Sequence, residues 1–261
     1  MSALQNEVAA GCRPLGVMAA LPQELGNLIE VMRAESGVRT VTHGSRNYHV
    51  GTVYGAPCVV TLARIGKVAA AATVSALIHA FEVDAVVFTG VAGGVGREVR
   101  VGDVVVADTL MQHDLDASPL FPRFEVPLLG ITRFVADRSL AAQLAAATER
   151  FIAEEGAALA QRFAIQVPQM HRGLIISGDQ FVASAAAVEA LRAALPDALA
   201  VEMEGAAIAQ VCYEYGVPCA IVRTVSDTAD AHAPASFTTF LTDLAGTYSN
   251  GILTRFLQAR A

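Results

Sequence analysis

The sequence predicts an α/β fold, a three-layer α/β/α sandwich around a mixed, mostly parallel central sheet. Three observations carry that expectation. Short continuous apolar runs such as Asp84–Thr89 and Val217–Thr224 suit strands covered on both faces. Longer segments, among them the alanine-rich Val68–Phe81 and the amphipathic Arg138–Glu155, alternate with them and read as helices. Glycines and carboxylates gather where the apolar runs end, which is where such sheets bind ligands.

With 261 residues, 54% hydrophobic and 16% charged, the chain can bury one sizeable core. Residues 15–261 are therefore read as a single domain behind a loose extension, residues 1–14. A net charge of -7 argues against a general nucleic-acid or anionic-membrane surface. Cys12, Cys58, Cys212 and Cys219 show no CxxC or zinc-like spacing, which fits buried free thiols in a reducing, cytoplasmic setting. The first residues lack the basic start and sustained apolar region of a signal peptide. The best apolar run, Ala69–Ala80, carries His79 and is too short to span a bilayer.

In chain order, Leu15–Leu21 reads as the first strand, and Pro22 opens a helix running through Glu24 towards Met32. Glu24 then sits at a strand end, where an acid suits either chemistry or the helix dipole. Arg39–Val53 and Pro57–Ala63 read as two strands joined through Tyr54-Gly55-Ala56. Asp84–Thr89 leads into Gly90-Val91-Ala92-Gly93-Gly94, read as a glycine-rich turn that lets backbone N–H groups approach a ligand. Its spacing is not the dinucleotide fingerprint. Val101–Ala107 is a strand leading to Gln112-His113-Asp114-Leu115-Asp116, which offers one histidine and two acids and is not read as a metal site. Ser118–Thr132 is an irregular loop. Arg172–Ser177 is a strand, Ala185–Leu195 a helix, and Phe237–Gln258 a single closing helix.

The most informative stretch is Leu199–Tyr213. A short strand to Met203 gives way at Gly205 to a helix, with Glu202 and Glu204 at the junction. Carboxylates there are poorly solvated and need donors. Substrate hydroxyls could supply them, and so could a buried arginine such as Arg223. Glu24, Gly90–Gly94, Phe181, Glu202, Glu204, Ser226 and Asp227 all fall on one rim. Converging carboxylates with an aromatic suit a neutral or cationic polar ligand and acid/base cleavage through a cationic transition state.

Six motifs in order, Gly66-Lys67-Val68-Ala69-Ala70, Thr89–Gly94, Val101-Gly102-Asp103, Ser177–Phe181, Val201–Glu204 and Arg223–Asp227, resemble the nucleoside phosphorylase/nucleosidase superfamily. Their spacing looks most like the bacterial 5′-methylthioadenosine/S-adenosylhomocysteine nucleosidases. The resemblance implies hydrolysis of an N-glycosidic bond without metal or organic cofactor, in a cytoplasmic homodimer. Position by position it makes Asp227 the acid that protonates adenine N7, Ser226 its orienting partner, and Glu24 the group that deprotonates the attacking water. It puts Glu204 on the ribose hydroxyls with Met203 beneath the sugar, and has Arg223 steady the acidic cluster that includes Glu202. Phe181 would stack on the base and the backbone of Val182 would read its edge. Val91, Ala92 and Gly93 would form the glycine-rich wall, and Leu21, Ile65 and Phe237 the apolar side of the 5′-tail pocket.

Two departures bear on the nucleophile. The family often has a serine where this chain has Val91, and valine offers only its backbone N–H, which favours water over phosphate. Arg64 replaces a small residue and could bind phosphate, a charged substrate tail or a surface acid. A phosphorolytic relative and a non-catalytic nucleoside-binding protein are the alternatives.

Overall fold

Which residues become strands is decided by the short turns as much as by the apolar runs. The computed structural model describes residues 13–229 and 233–260. Nearly all of the expected N-terminal extension, with Cys12, lies outside these residues. Strand β1 (Leu15–Ala19) is followed by a tight 3₁₀ turn at Pro22–Leu25, helix α1 (Leu28–Ser36), and strands β2 (Arg39–His43), β3 (Arg46–Val53) and β4 (Ala56–Leu62). Then come α2 (Lys67–Ala80), β5 (Ala85–Gly94), β6 (Val104–Gln112), β7 (Phe134–Val135), α3 (Arg138–Phe163) and β8 (Met170–Ser177). The chain continues through α4 (Ala185–Ala194), β9 (Ala198–Glu202), α5 (Gly205–Tyr215), β10 (Cys219–Asp227), α6 (Ala233–Asp243) and α7 (Ala245–Gln258).

Strand β5 is the hub. It pairs in parallel with β1 and β10 and, at its glycine end, antiparallel with β9. Strands β9, β8 and β6 run parallel to one another in that order, and β6 returns antiparallel to β10. The pairing therefore closes on itself through β5, β9, β8, β6 and β10, while β1, β4, β3 and β2 form an arm on the other side of β5. Parallel and antiparallel pairings are equal in number, so the sheet is mixed but not mostly parallel. The physical reason is turn length. Gly44-Ser45 and Tyr54-Gly55, all with positive φ, make tight reversals that can join only antiparallel neighbours.

Other boundaries differ for equally local reasons. Arg39–Val53 is two strands because the chain reverses at Gly44-Ser45. The helix expected from Pro22 to Met32 is interrupted at Gly26, whose φ is +55°, so Glu24 stands on the 3₁₀ turn. Gly90–Gly94 is the end of β5 and not a turn. The closing helix is two, α6 and α7, split at Leu244. Among the described residues no helix is long and apolar enough to cross a membrane.

Candidate active site

The ends of β1, β5, β9 and β10 meet around a cavity of about 340 Å³. Glu24 enters from the 3₁₀ turn and is nearly fully buried. One carboxylate oxygen accepts from the backbone N–H of Ala20 (3.0 Å) and Leu21 (2.8 Å), and the other from that of Val91 (2.9 Å). Burial raises its pKa, while Arg223 and these backbone donors oppose the rise. Glu24 is thus fixed in place yet able to take up a proton.

Glu202 and Glu204 divide their work. Glu202 accepts from the hydroxyl of Ser177, from the N–H of Glu204 (3.0 Å) and Gly205 (2.9 Å), and from the Arg223 guanidinium. Its oxygens are occupied by the protein, so the ion pair with Arg223 that the sequence left open is present. Glu204 accepts from the Gly66 N–H at 2.8 Å and lies 3.4 Å from Arg223 Nη2. Gly66 has a φ of +99°, a conformation glycine adopts freely, which brings that N–H to the carboxylate. Arg223 is buried against the Phe88 ring, 4.0 Å from its centroid, and its Nη1 faces Gly90.

A methyl group on Gly90 would come within 2.1 Å of Arg223 Nη1 and 2.6 Å of a Glu24 oxygen. Neither side chain is free to yield. Gly90→Ala is expected to destabilise the fold by about 1–3 kcal/mol, the usual cost of overpacking. A midpoint in denaturant equal to that of the unmodified protein would remove this packing argument.

At the opposite wall, Asp227 ends β10. Ser226 Oγ donates to one of its oxygens (2.8 Å) and the Ala229 N–H to the other (2.8 Å). Phe181 is 43% exposed, and its ring meets Phe237 edge-on with centroids 5.5 Å apart. Leu21, Ile65, Val91, Ala92, Gly93, Val182 and Met203 complete the lining foreseen from sequence, with Glu24, Glu202, Glu204 and Asp227. Ser226 and Arg223 stand behind the wall, acting through Asp227 and the glutamates. Ala20, Gln180 and Val201 also line the cavity and were given no site role. Gln180 and Val201 lie inside the motifs Ser177–Phe181 and Val201–Glu204, whereas Ala20, just past the end of β1, carries no chemical signal. Among the described residues no cluster could hold a metal, and Asp114 pairs with Lys67 at 2.6 Å.

The sequence profile of the phosphorylase superfamily matches residues 14–258. The chain belongs to the phosphorylase superfamily. It is 35% identical over 228 residues to a 5′-methylthioadenosine/S-adenosylhomocysteine nucleosidase of Marinomonas sp. (strain MWYL1), covering 87% of this chain and 91% of that one. It is 34% identical over 227 residues to an aminodeoxyfutalosine nucleosidase of Helicobacter pylori, with the same coverage. A 5′-methylthioadenosine/S-adenosylhomocysteine nucleosidase from S. pneumoniae, solved with a transition-state inhibitor, superposes with a TM-score of 0.80 at 34% identity, covering 95% of this chain and all of that one. The likeness to these nucleosidases read from the motifs therefore extends through the whole fold.

For this member of the phosphorylase superfamily, the two departures have definite surroundings. The Val91 N–H is taken by Glu24 and is not left for an anion. Among the described residues Arg64 reaches no surface acid; its Nη2 donates to the Ser45 carbonyl at 2.7 Å.

The cluster also sets a pH dependence. Burial and the nearby Glu202 push Glu204 from 4.5 up to about 8. Between those limits the folded chain holds a proton that the unfolded chain has lost, so stability falls as pH rises across that window. Glu24, raised by burial, acts in the same direction. The thermal midpoint of the ligand-free protein is expected to decline across the window, and Glu204→Gln to flatten the decline. A midpoint that climbs across it would contradict the assignment.

Proposed function

We propose that this protein hydrolyses the N-glycosidic bond of 5′-methylthioadenosine, S-adenosylhomocysteine or both, releasing adenine and a 5-thioribose derivative. The observation that carries the reading is a single cavity with Asp227 on one wall and Glu24 and Glu204 on another. In the proposed reaction Asp227 delivers a proton to adenine N7 as the bond from the sugar to N9 breaks, so the base leaves neutral. Glu24 takes a proton from water as its oxygen adds to the anomeric carbon. Glu204 accepts from the ribose hydroxyls, and release of its proton as positive charge builds on the sugar favours the oxocarbenium-like transition state. Glu202, saturated by protein donors, holds Glu204 and Arg223 in position instead of binding substrate. Phe181 covers the base, Val182 reads its edge, and Met203 lies under the sugar. Leu21, Ile65 and Phe237 take the 5′ tail.

The chemistry uses only water and protons and assigns no cofactor. We extend the reading to a single catalytic domain over residues 15–261, three-layered and cytoplasmic, serving methionine salvage as a homodimer.

Phosphorolysis is the second reading, and the engagement of the Val91 N–H by Glu24 argues against it. Adenine release from methylthioadenosine in phosphate-free buffer decides between them. Release with free methylthioribose is expected. Release only after phosphate is added would make the protein a phosphorylase, and no release in either buffer would remove the nucleosidase reading.

A further inference from the structure

Leu21, Ile65 and Ala20 line both the site cavity and a second, outer chamber of about 460 Å³ beneath the β2–β3 hairpin. The two chambers are lined by different ionisable groups. Four carboxylates face the inner one, whereas Arg46, Arg64 and His49 face the outer one and, among the described residues, no carboxylate does. We infer that the outer chamber is an anion subsite, so that the protein favours 5′-thioadenosines whose 5′ substituent ends in a carboxylate over uncharged ones. This rests on the nucleosidase reading above.

The arginines are held without being neutralised. Arg46 is half-buried and donates to the carbonyls of Ala63 (3.2 Å) and Gly44 (3.0 Å). Arg64 donates to the Ser45 carbonyl and keeps its remaining N–H groups for other acceptors. Carbonyl partners orient a guanidinium but leave its charge intact. His49 adds little charge, since burial and Arg33 lower its pKa against the opposing pull of Glu30 on α1. Arg64 has a φ of +70°, in the left-handed region. Ile65 follows directly and lines both chambers, which puts Arg64 at the passage between them. A chain leaving the sugar past Leu21 and Ile65 would therefore meet positive charge after an apolar collar.

The test compares 5′-S-(3-carboxypropyl)-5′-thioadenosine with its carboxamide, which has nearly the same shape without the charge. Adenine release is expected to show kcat/KM about fivefold to tenfold higher for the acid at low ionic strength, in the range of a charge-assisted hydrogen bond discounted for exposure. Added salt should shrink the ratio. Arg64→Gln should bring the ratio near unity and Arg64→Glu should invert it. Arg46 is tied into the hairpin, so Arg64 is the side chain to change. Equal rates for acid and amide in the unmodified protein, or an acid preference that survives Arg64→Glu, would overturn the subsite and leave the nucleosidase reading standing. Adenine released from neither compound would instead remove that reading. In that case calorimetric binding of the same pair gives the ratio, with the same outcomes deciding the subsite.

Discussion

Asp227→Asn is expected to lower the rate of adenine release roughly 10²- to 10⁴-fold, the usual worth of a positioned general acid. The substitution is nearly isosteric, and the surroundings accept it. The remaining amide oxygen can keep the Ala229 N–H, and the amide nitrogen can donate to Ser226 Oγ, whose own O–H can turn to the Ala92 carbonyl at 3.3 Å. Folding should therefore be almost unchanged, and the loss should appear in kcat. A rate within about tenfold of the unmodified protein would remove Asp227 as the acid. A large fall in the thermal midpoint would show that its role is in the fold.

Glu24→Gln should cost a similar factor in adenine release, roughly 10²- to 10⁴-fold, but with a second signature. All three groups that contact its oxygens are N–H donors, from Ala20, Leu21 and Val91. Whichever way the amide is turned, its NH₂ faces a donor and at least one N–H loses its partner. An unpaired buried donor costs about 1–3 kcal/mol. Activity and thermal midpoint should therefore fall together, unlike in Asp227→Asn. A variant with full stability and full activity would mean that neither the base role nor the three-donor cradle is correct.

The contrast between these variants reflects what each residue needs from the fold. Asp227 accepts from its neighbour Ser226 and from Ala229 two positions on, local contacts readable from the Ser-Asp pair. Glu24 depends on Val91, and Glu204 depends on Gly66, contacts across long stretches of chain that no local pattern records. Phe181 is intermediate: an aromatic after a strand end is visible, but its edge contact with Phe237 is not. The fate of Glu202 was open for the same reason. Only the arrival of Arg223 on β10, against Phe88 on β5, fixes it as an ion-paired support.

By itself, the sequence determined an α/β chain with strands at the apolar runs and ligand-facing residues at their ends. Burial periodicity and glycine placement are local properties and survive in one dimension. The tertiary structure decided the strand pairing. It converted Gly90–Gly94 from a turn into the end of β5, because those glycines pair with β10 on one side and, at their far end, with β9 on the other. It also closed the circuit of five strands and set the balance of parallel and antiparallel neighbours. Finally it separated the charges, gathering carboxylates in one chamber and arginines in the next. Charge at a site is the sum of groups from distant segments, and only their arrangement in space fixes the field that a ligand meets.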